Sequence, residues 1–167
     1  LKIVASQTIF VENFSRIAVS ARGGGDAGDL EIFASNILLD QKGRIRADTS
    51  GGNEGNIQLV ANEALVLRRG SSITTNATGP STGGNIDITS PVIVAVPAED
   101  SDIVANAVEG NGGRIQIEST GIFGLELRSE LTPLSDITAR SQFGVAGIVQ
   151  IQTPDLDPSQ GIVELPS

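Results

Sequence analysis

The sequence predicts an all-β protein: a single-stranded, three-sided, right-handed parallel β-helix of about five coils with about 29 residues each. Three observations predict it, namely a phrase repeated at near-constant spacing, alternation within each strand, and three aliphatic pairs per repeat. The phrase is glycine, any residue, aliphatic, polar, aliphatic, and it begins at Gly28, Gly55, Gly84, Gly113 and Gly147. Counted from Ile3 at the second aliphatic position, successive spacings are 29, 27, 29, 29 and 34 residues. A fixed period of this length indicates one supersecondary unit stacked on copies of itself.

The first strand of each repeat has two inward aliphatic residues with one polar residue between them. In every repeat the residue between the two aliphatic positions is charged or carries an amide: Lys2, Glu31, Gln58, Asp87, Gln116, Gln150. Such period-2 alternation predicts a strand with one buried and one solvated face. The glycine before the strand predicts a corner between coils that tolerates no Cβ.

Two further strands follow in each repeat. The second strand is predicted from the pairs Ile9/Val11, Ile37/Leu39, Leu65/Leu67, Val92/Val94 and the segment from Ile122 onward. The third is predicted from Ile17/Val19, Ile45/Ala47, Ile73/Thr75, Ile103/Ala105 and Ile137/Ala139. Three strands in one repeat leave no room for helices, so equivalent strands are expected to stack about 4.8 Å apart. The right-handed coiling follows from the general rule for parallel crossovers.

Two more sets of residues carry structural expectations. The residues that close the third strand are predicted to hydrogen-bond from coil to coil: Ser20, Asp48, Asn76, Asn106, Arg140. The phenylalanines are predicted to fill the interior or its corners: Phe10, Phe14, Phe33, Phe123, Phe143.

The chain is predicted to be one domain over residues 1–167. The expected coils are 1–27, 28–54, 55–83, 84–112 and 113–146, followed by a final strand and C-terminal extension at 147–167. Because the sequence starts within a strand and without Met, we expect it to be a segment of a longer protein.

Composition excludes several classes of function. The formal net charge of −9 repels nucleic acid, so no nucleic-acid partner is expected. The absence of cysteine excludes disulfides and thiolate metal sites, and the absence of histidine excludes His-dependent catalytic triads.

The corner between the second and third strands is the variable part of the repeat. It spans 8 residues in the first three coils, then 11 from Val92 to Ile103 and 15 from Ile122 to Ile137. Binding functions concentrate in such loops, so segments 95–102 and 126–135 are the predicted contact loops. Their candidate contact residues are Glu99, Asp100, Asp102, Arg128, Glu130 and Thr132.

Other chemistry finds less support in the residues. Asp155, Asp157 and Ser159 alternate as in an oxygen-ligand calcium loop, but Pro158 lies among them and no Glu closes the loop. A polysaccharide lyase or hydrolase would need carboxylates and arginines such as Asp100, Asp102, Asp136 and Arg140 to converge in one groove. We expect no catalytic residues and no cofactor; a β-helical lyase or hydrolase and a calcium-stabilised spacer are the alternatives.

The second half of the chain resembles a known family. The residues that carry the resemblance are Ser101–Asn106, Gly110–Gly113, Ile122–Gly124, Thr132–Ala139, Thr153–Ser159 and Gly161–Pro166. They resemble the C-terminal β-helical part of cyanobacterial filamentous-haemagglutinin-like exoproteins, which are secreted by the two-partner route. Residues 1–82 match only as generic coils of the same period.

The resemblance implies a structural and adhesive rod that presents corner loops for cell or surface attachment. It implies a protein secreted to the cell surface of a Gram-negative bacterium and associated with its outer membrane. The partners would be an outer-membrane transporter for the full-length protein and an unidentified cell-surface or glycan ligand. From the exposed strand edges of a cut solenoid, we expect a monomer with some end-to-end association.

Overall fold

The computed structural model describes residues 1–21, 23, 25–52 and 54–153. Over these residues the chain is all-β, and its parallel strands stack as a β-solenoid of about four coils, which confirms the predicted fold class. The count is slightly below the predicted five. In the sheet formed by the first strands of successive coils, four strands of the described residues are paired with a neighbour on both sides. The handedness of the coiling stays a prediction.

The strands form three sides. The first side consists of β1 (Lys2–Val4), the first half of β4 (Leu30–Leu39) and of β6 (Ile57–Leu67), β8 (Asn85–Thr89), β11 (Arg114–Glu118) and β15 (Ile148–Gln152). The second consists of β2 (Thr8–Val11), the second halves of β4 and β6, β9 (Val92–Ala95) and β12 (Gly121–Phe123). The third consists of β3 (Arg16–Ala18), β5 (Arg44–Arg46), β7 (Ser72–Thr74), β10 (Asp102–Val104), β13 (Glu126–Leu127) and β14 (Asp136–Thr138).

In the second and third coils, the first two sides are not separate strands. β4 and β6 each run through the corner, and their pairing shifts register between Ala34 and Asn36. In the fourth coil the strand breaks at Ser90 and Pro91, because proline cannot donate to the ladder. The predicted first and second strands are therefore joined in two coils by a bulged corner.

The core is a set of stacked aliphatic columns inside the rod. Ile32 and Leu59 of the first side and Ile45 and Ile73 of the third are at most 1% exposed, as the alternation predicts. Each such side chain contributes about 1.5–3 kcal/mol on burial. The predicted pair Val92/Val94 is wrong: both are only partly buried, whereas Ile93 and Ala95 point inward opposite Leu65 and Leu67.

The prediction that the phenylalanines fill the interior is also wrong. Phe33 is partly buried, and the other four are 59–74% exposed: Phe10, Phe14, Phe123, Phe143. The inward positions are occupied level after level by isoleucine, leucine, valine, alanine and threonine, whose stacks fill the narrow interior.

The repeated glycines lie where consecutive coils touch backbone to backbone. A Cβ on Gly84 would overlap the carbonyl oxygen of Gly55, and Cβ atoms on Gly113 and Gly147 would overlap the glycine carbonyl one coil earlier. Gly28 differs, since the nearest atom to its Cβ would be Val19 Cβ at 4.0 Å. The predicted Cβ-free corner is confirmed for the later coils, and close approach is its cause.

The polar column after the third strand behaves as predicted from Asp48 onward. The backbone N–H of Asn76 donates to Asp48 Oδ1 at 2.9 Å, that of Asn106 to Asn76 Oδ1 at 3.1 Å, and that of Arg140 to Asn106 Oδ1 at 2.7 Å. Each side chain thus satisfies a donor of the following coil. This ladder fixes the third side relative to the corner that follows it.

Candidate functional site

The variable corner starts as a stack of tight turns in the first three coils. Their central pairs all have positive φ: Asn13 and Phe14, Gln41 and Lys42, Arg69 and Gly70. In each, the residue after the pair donates its N–H to the carbonyl three residues earlier, at 2.8–3.3 Å. These are the features of a type I′ turn. Five of the six central residues carry a side chain despite the left-handed conformation.

Backbone hydrogen bonds tie each turn to the next. Phe14 donates to the carbonyl of Gln41 at 2.9 Å, Lys42 to Arg69 at 3.0 Å, and Gly70 to Glu99 at 2.7 Å. The third bond links the regular stack to the first insertion. The predicted loop 95–102 therefore continues the stack of turns.

The insertion of the fourth coil is a single turn of 3-10 helix, Pro97–Glu99. Arg68, in the preceding coil, donates from Nε and Nη2 to the two carboxylate oxygens of Glu99 at 2.7 and 2.9 Å. The backbone N–H of Arg69 donates to the same carboxylate at 2.9 Å. These bonds, with Arg68 foremost, lower the pKa of Glu99 to about 2. Asp100 follows in the left-handed conformation and is exposed.

The insertion of the fifth coil folds back onto the solenoid. β13 pairs with β14 in register, Glu126 opposite Asp136 and Leu127 opposite Ile137, and forms an edge of the third-side sheet in the described residues. Leu125, just before β13, is 9% exposed and belongs to the core. The segment is thus partly structural, since β13 pairs with the edge of β14 opposite to the edge that pairs with β10.

The side chain of Asp136 is fully buried and organises this insertion. It forms an ion pair with Arg128, and it accepts hydrogen bonds from the Thr132 N–H at 2.5 Å and the Thr132 hydroxyl at 2.9 Å. Burial alone would raise the pKa of Asp136, but the hydrogen bonds from Thr132 and Arg128 lower it below its usual value. Arg128 and Thr132 therefore serve the loop's own structure.

Asp102 lies one coil before Asp136 and is half-buried. Its Oδ1 accepts the backbone N–H of Asp136 at 2.9 Å. Burial raises the pKa of Asp102 to about 6, and the charges of Asp100 and Asp136 act in the same direction. The carboxyl group therefore changes its charge near neutral pH.

The structure brings some of the predicted contact residues together and separates others. Asp102, Arg128 and Thr132 gather around Asp136, whereas Glu99 is held at the turn stack by Arg68. Glu130 has a 72% exposed side chain and lies 3.5 Å from Arg140. Asp100 and Glu130 are the candidates that remain open to solvent.

Sequence reasoning missed the apolar part of the longer insertion. Leu127, Leu131 and Leu134 are 59%, 48% and 38% exposed. Leu127 also lines a groove of about 370 Å³ with Arg140 and Val149. Three leucines without helical or strand periodicity, in a segment rich in Ser, Thr and Pro, were the available signal.

Two further kinds of feature are a metal site and a membrane-spanning helix. The calcium candidates Asp155, Asp157 and Ser159 lie outside the described residues. Within the described ranges, no three acidic, histidine or cysteine side chains cluster closely enough to hold a metal ion. No described helix has the length and apolar character needed to cross a membrane.

Comparison with family models, with curated proteins and with solved structures found no match for this chain, so the assignment of function depends on the geometry above and on the resemblance in its second half.

Proposed function

We propose that this chain is a structural and adhesive rod segment of a secreted, haemagglutinin-like exoprotein, which presents its corner loops for attachment to a cell or surface. One observation carries the proposal: elaboration of the solenoid is concentrated at one corner in two successive coils, while the three sides keep their register. A regular scaffold that varies at one corner is the common arrangement for presenting a binding surface.

The two insertions support this proposal through their rigidity. Glu99 is bound to Arg68, and Asp136 is bound to Arg128 and Thr132. Loops held in this way lose little conformational entropy when they bind. Among the side chains left for a partner are Asp100, Glu130 and the leucines at 127, 131 and 134.

A non-enzymatic role fits the engagement of the acidic groups. A hydrolase or lyase needs carboxylates that face a substrate and change protonation there. Asp136 is buried against Arg128, and Asp102 accepts the N–H of Asp136. Arg140 lies beside Glu130. We therefore propose that the chain has no catalytic function.

The setting of the rod is part of the proposal. The full-length protein would be exported through an outer-membrane transporter of a Gram-negative bacterium and would stay at its surface. The chain of 167 residues would be a monomer with a tendency to associate end to end.

The proposal is tested by the attachment of purified chain to fixed cyanobacterial cells and to immobilised neutral glycans. The double variant L127S/L131S is compared with V4S/F10S, which removes two exposed apolar residues elsewhere. We expect L127S/L131S to lose about tenfold in affinity and the control to keep it. Equal behaviour of the two variants, or no attachment of the parent chain, would overturn the proposal. Release of an unsaturated uronate from polygalacturonate would identify a lyase instead.

A further inference from the structure

The third side carries a second distinctive surface in the first three coils, away from the insertions. A groove of about 650 Å³ lies between the outer face of this side and the corner that follows it. Arg16, Arg46 and Asp48 line it together with hydroxyl and amide side chains, among them Ser50 and Asn76. Ala18 lies two residues after Arg16 and pairs in register with Arg46, and its short side chain leaves the floor of the groove open.

Arg16 and Arg44 are stacked without an acidic partner among the described residues; Arg44 is outside the lining of the groove, whereas Arg46 in the lining is paired with Asp48. Arg16 pairs in register with Arg44, so two exposed guanidinium groups occupy neighbouring levels about 4.8 Å apart. Neither forms an ion pair with a carboxylate of the described residues. Like charges directly opposite one another on a sheet are destabilising. A bound anion would relieve this repulsion.

Arg46 is held in place as a donor to the groove. Its Nε donates to Asp48 Oδ2 at 2.6 Å, while Asp48 Oδ1 accepts from the Thr74 hydroxyl and the Asn76 N–H, both at 2.9 Å. The side chain of Asp48 is 13% exposed and fully engaged. Arg46 Nη2 also forms an ion pair with Asp48, so the guanidinium is oriented and the Nη1 donors face a ligand.

The row of outward side chains that contains Arg16 changes from positive to negative charge along the rod. The column that begins with Arg16 and Arg44 continues through Ser72 to Asp102, and the next coil adds Asp136. On this row, positive charge therefore lies at the first two coils of a chain whose net charge is −9. Such a chain repels a long polyanion such as duplex nucleic acid, but a short acidic segment fits the local field.

From these features we propose that the groove between Arg16 and Arg46 binds a carboxylated glycan, with the uronate carboxylates on the arginines and the sugar hydroxyls on the Ser, Thr and Asn side chains. Arginine matches a carboxylate by paired N–H donors, which favours this chemistry over a neutral sugar. Among the described residues that line the groove there is no aromatic side chain for a nucleobase to stack on. The site is independent of the contact loops proposed above.

The test is calorimetric titration of the chain with tetragalacturonate at low salt. Its matched neutral control is the fully methyl-esterified oligosaccharide, which keeps the sugar and removes the charge. We expect binding of the acid, weakening with added salt, and no binding of the ester. Equal binding of the two, tighter binding of a sulfated oligosaccharide or of an oligonucleotide, or no binding of the acid would each overturn the proposal.

Two variant pairs locate the site. R16Q should weaken binding about tenfold, whereas R114Q, which removes an arginine of the first side, should not. A18E should abolish binding because its carboxylate occupies the arginines, and A18Q, of the same size, should bind. Equal effects within either pair would overturn the assignment. Circular dichroism of each variant checks that the solenoid is folded, and failure of this test leaves the loop attachment assay unaffected.

Discussion

Glu99 accepts two hydrogen bonds from the guanidinium of Arg68, a residue that lies one coil earlier at the same corner. The pair joins the first insertion to the regular stack of turns. It also shows that an acidic residue in a variable loop can be committed to the scaffold. Its consequences are measurable through the titration of Glu99.

The first prediction concerns that titration. Carboxyl-detected NMR should place the pKa of Glu99 at about 2, and R68Q should raise it toward the ordinary value of 4.5. Because the folded-state pKa is lowered, the stabilisation is present above about pH 4.5 and is lost as pH falls toward 2. R114Q should leave Glu99 unchanged. A wild-type midpoint near 4.5 would contradict the prediction.

The second prediction concerns the buried carboxylate of Asp136. D136N should lower the free energy of unfolding by about 2 kcal/mol, because Arg128 loses its charged partner and one hydrogen-bond acceptor becomes a donor. E130Q, at the exposed pair with Arg140, should change it by less than about 0.5 kcal/mol. Urea denaturation measures both. Equal losses of unfolding free energy in the two variants would show that the buried Asp136 contributes no more to stability than the exposed Glu130.

The third prediction is a pH dependence centred on Asp102. Because the pKa of Asp102 is raised to about 6, the folded state gains stability from this group as pH falls from above 6 to below 4. The gain is about 1 kcal/mol, since solvent reaches and screens a half-buried carboxyl group.

D102N keeps the acceptor for the Asp136 N–H and removes the titration. It should therefore be more stable than wild type at pH 7.5 and similar at pH 4. Denaturation curves at the two pH values test this. A variant that follows the wild type at both would exclude Asp102 as the source of the dependence.

The fourth prediction uses the glycine column. G84A should destabilise the fold by at least about 3 kcal/mol, because its Cβ overlaps the Gly55 carbonyl in backbone that has little room to move. G28A is the matched control, since its Cβ meets nothing closer than 4.0 Å. Thermal unfolding followed by circular dichroism distinguishes them. Similar melting temperatures would refute the close-approach explanation.

The fifth prediction concerns the two ends of the described solenoid. In the described residues, β1 and β15 each pair with one neighbour only, β4 and β11 respectively. Unpaired strand edges promote association. Light scattering of the 167-residue chain should show the mean mass rising with concentration. A constant monomer mass over a wide dilution series would count against edge pairing.

The fold was predictable because every coil repeats the same local pattern. The inward residues of the third side, such as Ile45, Ile73 and Ile103, follow directly from the 29-residue period and the alternation. Which residues of β9 point inward was not predictable from its own sequence, since Val92, Ile93 and Val94 are all aliphatic. Pairing with Leu65 and Leu67 in the preceding coil decides which of them points inward.

The candidate site was only partly predictable. Corner lengths located both insertions, but sequence spacing does not show that β13 turns back onto β14. Nor does it show that Glu99 is bound to Arg68, because the partner lies 31 residues away in sequence. Phe14 illustrates the same limit, since its place in a type I′ turn on the outside depends on the stack and not on its hydrophobicity.

The backbone contact at Gly55, Gly84, Gly113 and Gly147 has a consequence for how such a rod changes in length. Each of these levels presents a similar surface to the next, so a whole repeat can be duplicated or lost while the remaining neighbours keep their fit. Additions of other sizes are accommodated at the corner that carries Pro97 and Leu131. The length of the rod can therefore evolve through the number of repeats, while the chemistry of its variable corner evolves through the sequence of that corner.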